Sequence, residues 1–388
     1  MQDEKRPVRE LSAIREDIDK IDRELVSLFC KRMELSLDVA ESKRNTGKAV
    51  FDPEREKLLL KKVSDLAGSD KEEYVRTLYS TILSLSHAVQ NRALFYDNEI
   101  SAEIRESLES TPKLFPERAH VACQGVAGAY SQAAADKFFR MADISYFSSF
   151  ANVFQAIENG TCEYGVLPIE NSTAGSVGAV YDLMLKHNFY IVRSCRLKVS
   201  HALLSNPGAD LECIKEVFSH EQAINQCSDF LTAHPNIKVH VRKNTAMAAK
   251  EVMESGRTDF AAIASEECGE VYGLSPIDYD IQNQDNNYTR FICIAKRPEI
   301  YPGANKTAMM AVLPHREGAL YNMLSRFAAH GANLTKIESL PIPEREFEFM
   351  FYFDFECSVY SENFYTLICE LSKSSKKFRY LGSYIEIV

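Results

Sequence analysis

Between residues 11 and 43 the chain places Leu11, Ile14, Ile18, Ile21, Leu25, Leu28, Leu35 and Val39 at three- and four-residue spacing. That spacing admits an amphipathic helix and little else. Two cations, Arg32 and Lys43, fall on the same stripe. Over the 11 positions between them, at about 100° per residue, the helix returns to within roughly 20° of one face. A seam that buries a cation needs an anion to neutralise it, whereas a cation in an ordinary coiled-coil seam snorkels out to water. On this helix alone both readings stand. Arg15 lies about 110° from the centre of the stripe, so it points away from its own seam and toward whatever a neighbouring chain presents.

Residues 50–56 (Val50-Phe51-Asp52-Pro53-Glu54-Arg55-Glu56) read as a helix start. Asp52 is the N-cap, Pro53 the first helical residue and Glu54 the first-turn acid; capping by itself accounts for Asp52 and Pro53. A third helical pattern follows, with Leu78, Ile82, Leu85 and Val89 on its apolar face and Ser86 and Gln90 one turn apart beside it. Taken in order, Arg15, Arg32, Lys43, Asp52, Arg55, Glu56, Ser86 and Gln90 make residues 11–95 resemble the all-helical chorismate mutase family. The resemblance implies two intertwined chains, with Arg15 reaching into the partner's pocket. It also implies that Arg15, Arg32 and Arg55 hold the two carboxylates of chorismate, Asp52 and Glu56 orient its ring hydroxyl, Ser86 supports carboxylate binding, and Lys43 and Gln90 donate to the ether oxygen. Such a rearrangement is intramolecular. It needs a folded substrate and donors where charge develops on the breaking C–O bond, with no nucleophile or metal.

A chain of 388 residues exceeds one ordinary core and suits two or three domains. Its 45% hydrophobic and 26% charged residues are those of a globular protein, and a formal charge of −10 argues against nucleic acid as a partner. The stretch Met1-Gln2-Asp3-Glu4-Lys5-Arg6-Pro7 lacks the apolar core of a signal peptide, and no window approaches 18 uncharged apolar residues; a cytoplasmic location away from membranes is expected. Ten cysteines stand without a C-x-x-C pair or histidines at ligand spacing. Reduced, mostly buried thiols are therefore expected, with neither a metal site nor a cofactor.

Ser107 to Arg118, with two prolines among polar residues, breaks the helical periodicity. Short apolar runs then alternate with helical stretches: Val121–Cys123 and Ser131–Phe139, Tyr164–Pro168 and Val177–Lys186, Glu216–Ser219 and Glu221–Leu231, then Phe260–Ala264. That alternation signals α/β layering. Three junctions carry polar groups: Gly125-Val126-Ala127-Gly128-Ala129-Tyr130-Ser131, Pro168-Ile169-Glu170-Asn171-Ser172-Thr173 and Ser219-His220-Glu221-Gln222-Ala223-Ile224-Asn225-Gln226-Cys227. Each taken alone is explained by a tight turn or a helix cap. With Asn287-Tyr288-Thr289-Arg290-Phe291-Ile292 at the start of an apolar strand, the set resembles the prephenate dehydratase family. Its Pro-Ile-Glu-Asn-Ser and Thr-Arg-Phe motifs are intact, while Glu221, Cys123, Gln124 and Val126 depart from the usual residues.

That resemblance implies two α/β lobes, similar to type 2 solute-binding proteins, with the site in the cleft. Prephenate would lose CO₂ and its ring hydroxyl together, driven by aromatisation, with Thr289 assisting the leaving hydroxyl by a hydrogen bond. Asn171, Ser219 and Gln226 would line the substrate and Glu170 and His220 support it. For Arg290 two roles stay open: pairing with a substrate carboxylate, or holding the lobes together.

Beyond Arg297-Pro298 and Tyr301-Pro302-Gly303 the pattern reads strand (Thr307–Leu313), helix (Gly318–His330), strand (Asn333–Pro341), strand (Glu346–Phe355), helix (Ser361–Ser372) and strand (Tyr380–Ile387). This βαββαβ order is the ferredoxin-like plan and resembles the ACT regulatory domain. The resemblance implies an amino-acid effector, phenylalanine, near Gly318-Ala319-Leu320 and Glu338-Ser339, where Leu340 stands in place of the usual arginine. The expected organisation is thus an all-α domain at 1–106, a linker at 107–118, a two-lobed α/β domain at 119–298 and an α+β domain at 305–388. Pairing through the first and last would give a homodimer or a higher even oligomer. The three resemblances together imply a two-step enzyme of phenylalanine biosynthesis. An arogenate-preferring dehydratase and a non-catalytic anion and amino-acid sensor are the alternatives.

Overall fold

The computed structural model describes residues 9–46, 52–94, 98–342 and 349–388. The stretch Met1 to Pro7, the Val50-Phe51 lead into the second helix and positions 346–348 of an expected strand lie outside the described residues. Among the described residues no helix is long and apolar enough to cross a membrane, and no cluster of His, Cys, Asp or Glu suits a metal ion.

The chain begins with helices α1 (Leu11–Thr46), α2 (Pro53–Ala67) and α3 (Glu72–Leu94), and α3 packs against both of the others. Asp52 caps α2, accepting the Arg55 amide at 3.0 Å, with Pro53 at the first helical position. The face that α1 buries is not the expected apolar stripe. It buries Ser36 and Ala40, while Leu11, Ile18, Ile21, Leu25, Leu28, Leu35 and Val39 each keep 42–63% of their surface exposed. Those seven side chains of the stripe are left exposed by the described residues.

Helix α4 (Glu99–Ser110) runs past the expected break at Ser107. The hydroxyls of Ser107 and Thr111 bond back to the carbonyls of Glu103 and Ser107, at 2.7 and 2.5 Å, and extend the last turn. The helix stops where Pro112 has no N–H to donate.

From here β1 (Arg118–Gln124), α5 (Tyr130–Phe138), β2 (Met141–Phe147), α6 (Phe150–Glu158), β3 (Tyr164–Asn171), β4 (Gly175–Ser176), α7 (Gly178–Met184) and β5 (Tyr190–Lys198) build the first α/β lobe. The second lobe holds β6 (Ala202–Ser205), β7 (Glu216–His220), α8 (Glu221–Gln226), α9 (Ser228–Ala233), β8 (Lys238–Arg242), α10 (Thr245–Ser255), β9 (Phe260–Ala264), α11 (Glu266–Tyr272) and β10 (Ser275–Asp278). The helix expected over Glu221–Leu231 is two short helices that meet at Cys227. Strand β11 (Tyr288–Ala295) returns to the first lobe and pairs antiparallel with both β3 and β5.

The C-terminal stretch follows as β12 (Lys306–Val312), α12 (Ala319–Ala329), β13 (Asn333–Pro341), β14 (Phe349–Glu356), α13 (Glu362–Ser374) and β15 (Lys377–Ile387). Ten strands form one sheet, in the order β13-β14-β12-β15-β5-β11-β3-β1-β2 with β4 on β3. Strand β15 joins its two halves, pairing antiparallel with β12 through Tyr384 and parallel with β5 from Ile385. At that change of partner Gly382 has φ +133°, and a Cβ there would sit 2.2 Å from the Ile191 carbonyl oxygen. The second lobe has its own five-stranded sheet, β10-β6-β9-β7-β8. Each sheet buries apolar side chains on both faces, as sheets covered on both sides require.

By contact the chain divides into two compact units: described residues up to 102 with 314–330 and 362–375, and residues 103–313 with 331–361 and 376–388. Within the first unit α12 packs on α13 and α13 on α3. The second unit contains both lobes and strands β12 to β15.

Candidate active sites

In the first unit, α1, α2 and α3 bring together residues far apart in sequence. The hydroxyls of Ser36 and Ser86 are 2.6 Å apart. Gln90 Nε2 donates to the carbonyl and hydroxyl of Ser86 at 3.2 and 3.3 Å, and Lys43 Nζ donates to Gln90 Oε1 at 3.3 Å. One turn before Ser36, Arg32 holds a buried Nη1 with no hydrogen-bond partner among the described residues, and burial lowers its pKa. Glu56 Oε1 lies 2.8 Å from His87 Nε2, next to Ser86. Ser36, Lys43, Ser86 and Gln90 therefore form one hydrogen-bonded cluster, which Ser36 joins to the Arg32 carbonyl, and the buried unpaired guanidinium nitrogen of Arg32 calls for an anion. Asp52 and Arg55 are exposed at the start of α2. Arg15 is also exposed, and the 17 steps along the helix from it to Arg32 amount to about 25 Å of rise. It is out of reach of the cluster in its own chain.

In the second unit a cavity of about 420 Å³ lies between the two lobes. Strands β3 and β11 set its floor: they pair with Thr289 opposite Asn171, and Asn171 Nδ2 donates to Thr289 Oγ1 at 2.9 Å and to Asn287 Oδ1 at 2.7 Å. The orientation of the Asn171 amide is set by its other end, where Oδ1 accepts from the Thr173 amide and hydroxyl and the Ala174 amide. Thr289 Oγ1 thus already accepts a bond, which leaves its O–H to donate into the cavity. From the second lobe come His220, which caps α8, and Gln226, whose Nε2 reaches Thr173 Oγ1 at 3.4 Å and whose Oε1 meets His201 Nε2 at 2.9 Å. Phe150, Pro168, Val177, Val199 and Phe291 form apolar walls.

Three expected residues stand elsewhere. Ser219, expected to line the substrate, is fully buried and donates to the Ile263 carbonyl at 2.6 Å inside the second-lobe sheet. Glu170 faces away from the cavity and pairs with Lys336 Nζ at 2.6 Å. Arg290 faces that same side of the strand. It is buried among Asp354 at 2.5 Å, Glu386 at 2.7 Å and Glu170 at 3.8 Å, and donates to the Tyr384 hydroxyl at 2.9 Å. These contacts link β11 to β14 and β15, and none of them reaches the second lobe. Burial disfavours the Arg290 cation, but Tyr384, Asp354 and Glu386 outweigh burial and raise its pKa; burial raises that of Asp354.

Sequence reasoning missed groups in and behind the cavity. Thr173 and Asn287 lie inside recognised motifs but carried no expected role; they stand behind the lining and bond to Asn171. His201 and Lys243 line the cavity and carry no motif signal, and only the fold brings them there.

In the C-terminal stretch, Gly318 takes a left-handed conformation (φ +72°) as N-cap of α12, which no side chain caps. Glu338 accepts from Ser176 Oγ at 2.5 Å, Ser339 is exposed, and Leu340 is buried in the core with Met350 and Tyr352.

Residues 14–91 match the family Chorismate mutase type II, and residues 121–299 match Prephenate dehydratase. A Bifunctional chorismate mutase/prephenate dehydratase of Escherichia coli (strain K12) is 30% identical over 96% of this chain and 96% of its own. An Arabidopsis thaliana protein named Arogenate dehydratase/prephenate dehydratase 2, chloroplastic is 36% identical over 82% of this chain and 88% of its own. Among solved structures, a prephenate dehydratase from Arthrobacter aurescens in complex with L-Phe aligns with TM-score 0.63 and 27% identity, covering 69% of this chain and 89% of that one.

Proposed function

The chain belongs to the bifunctional chorismate mutase/prephenate dehydratase family, converting chorismate to prephenate and prephenate to phenylpyruvate in phenylalanine biosynthesis, and we propose that it does so at two separate sites. Residues 1–106 carry the mutase and residues 119–298 the dehydratase, with 107–118 between them. The bond from Asn171 to Thr289 at the floor of the cavity is the observation that carries the dehydratase assignment.

At the mutase site Arg32 and Arg55 hold the carboxylates of chorismate, aided by Ser86, while Asp52 and Glu56 orient the ring hydroxyl. Lys43 and Gln90 donate to the ether oxygen as charge develops there, a contribution worth on the order of 10²-fold or more in rate for one donor. Arg15 completes the site from a partner chain. The exposed apolar stripe of α1 and the separation of Arg15 from Arg32 support a homodimer built on that helix.

In the dehydratase cavity the C–CO₂ bond breaks and its electrons enter the ring as the C–O bond to the hydroxyl breaks on the other side. The hydroxyl departs hydrogen-bonded to Thr289 and takes one proton from solvent, so prephenate and a proton give phenylpyruvate, CO₂ and water. A threonine hydroxyl is too weak an acid to give up its proton outright. Its contribution is a fixed donor, and Asn171 fixes it. Gln226 and His220 contact the substrate from the second lobe.

Residues 305–388 are read as an ACT domain that senses phenylalanine. The uncapped N-terminus at Gly318, Ala319 and Leu320 suits an amino-acid carboxylate, and the similar Arthrobacter aurescens dehydratase is a complex with L-Phe. Glu338 hydrogen-bonds Ser176, next to the strand that carries Asn171. With Leu340 in place of the usual arginine, the second motif lacks that charge, and the leucine packs into the core instead.

The test is a coupled assay with chorismate as sole substrate, following prephenate and phenylpyruvate with and without phenylalanine. Thr289→Ala is expected to accumulate prephenate at the wild-type rate, and Lys43→Ala to lose most chorismate turnover while still converting added prephenate. Loss of both activities in either variant refutes separate sites.

A further inference from the structure

The dehydratase cavity must take up a dianion, yet its walls are almost without charge. Among the described residues that line it there is no aspartate or glutamate, and the single lysine or arginine is Lys243. Lys243 sits between β8 and α10 and makes no hydrogen bond or ion pair with any described residue. The other sources of positive potential are fixed backbone. The N-terminus of α5 faces the cavity at Ala129, Tyr130 and Ser131 and has no side-chain cap, and that of α10 faces it at Asn244 and Thr245. The first amides of each helix lack intrahelical partners and favour an anion.

Resting on the dehydratase reading above, we infer that Lys243 is a specificity residue: it binds the side-chain carboxylate that prephenate keeps, and so selects the keto acid over its aminated analogue, arogenate. The reaction decides which carboxylate it holds. The ring carboxylate must give up its charge as CO₂ leaves, and a lysine on it would stabilise the ground state more than the transition state and slow the step. The retained carboxylate keeps its charge throughout, so a cation there strengthens binding without opposing the chemistry. The apolar walls are left for the departing group.

Arogenate carries an ammonium beside that same carboxylate. It would meet Lys243 as a like charge, in a cavity whose described walls offer no carboxylate as a counter-ion. The Oδ1 of Asn171 and the Oε1 of Gln226 are already engaged by protein donors. Rejection by an unpaired charge is strong discrimination, because neither cation can be satisfied without moving the other.

The experiment measures kcat and KM of the full chain for prephenate and for arogenate, in wild type, Lys243→Arg, Lys243→Met and Lys243→Glu, with thermal melting to establish folding. Wild type is expected to prefer prephenate by at least about 100-fold in kcat/KM, the scale of penalty that one unpaired like charge imposes. Lys243→Met is expected to raise KM for prephenate about 10-fold or more with kcat within a few-fold, as for lost uniform binding. Lys243→Arg should restore KM, and Lys243→Glu should shift the ratio toward arogenate. An unchanged KM in Lys243→Met, a fall in kcat alone, or equal use of both substrates by wild type overturns the inference. If Thr289→Ala instead keeps full dehydratase activity, the cavity itself is misassigned, which is a separate result.

Discussion

Replacing Arg290 by methionine separates a role in holding β11 to β14 and β15 from a role on the substrate. The guanidinium is 5% exposed, and it lies 2.5 Å from a fully buried Asp354 and 2.7 Å from Glu386, which is 7% exposed. Methionine fills much of the same volume and leaves Asp354 without the cation that pairs with it; the Tyr384 hydroxyl, at 2.7 Å, still donates to it. Breaking a buried pair by removing one partner costs about 3–5 kcal/mol, because the surviving charge stays desolvated. For a unit of this size that is a fall in Tm on the order of 10 °C. Asp354→Asn added to Arg290→Met should recover part of the loss, since the orphaned charge is then gone.

The sign of the pH dependence follows from Asp354. Burial already raises its pKa above the usual aspartate range, and removing Arg290 raises it further. A carboxyl that binds its proton more tightly in the folded state gains stability as pH falls, so the deficit of the variant should narrow on acidification. Calorimetry of wild type, both single variants and the double variant at about pH 5 and about pH 8 measures this. An unchanged Tm together with a large rise in KM for prephenate would refute the reasoning and return Arg290 to the substrate.

His201 is buried, and burial lowers its pKa below the ordinary histidine value of 6.5, so below that pH the unfolded state binds the proton more readily and stability falls with acidification. His201→Asn should flatten that part of a plot of Tm against pH, and an unaltered slope would place the titration elsewhere. Gly382→Ala should cost about 3 kcal/mol or more, because the added Cβ would sit 2.2 Å from the Ile191 carbonyl oxygen at a φ of +133°; a Tm within about 2 °C of wild type would show that β15 can shift. Mixing chains that carry Arg15→Ala with chains that carry Lys43→Ala should restore mutase activity in part, since one hybrid pocket then holds both wild-type side chains. No recovery after verified subunit exchange would rule out a pocket shared between chains.

What the sequence disclosed, and what it left out, follows from the period of a strand. The helix starts, the alternation of strands and helices and the dehydratase motifs were legible because they are local. The assignment of every polar residue in those motifs to one pocket was not sound, since consecutive residues of a strand point to opposite faces. Glu170 and Asn171, Ser219 and His220, and Thr289 and Arg290 are three such neighbours, and in each pair one member lines the cavity and the other does not. The alternation itself was readable in advance. The destination of the outward members was not, because Lys336, Asp354 and Glu386 arrive from β13, β14 and β15, far along the chain. The same limit applies to α1: its spacing identifies an apolar stripe, but spacing cannot say whether the stripe meets its own chain or another. In β3 and β11 the two faces are now distinct in chemistry. One presents a neutral polar array to the cavity, and the other is held by ion pairs to the C-terminal strands. A change in the C-terminal sheet that moves Lys336 or Asp354 therefore bears directly on the strands that position Asn171 and Thr289, without any group passing through the cavity.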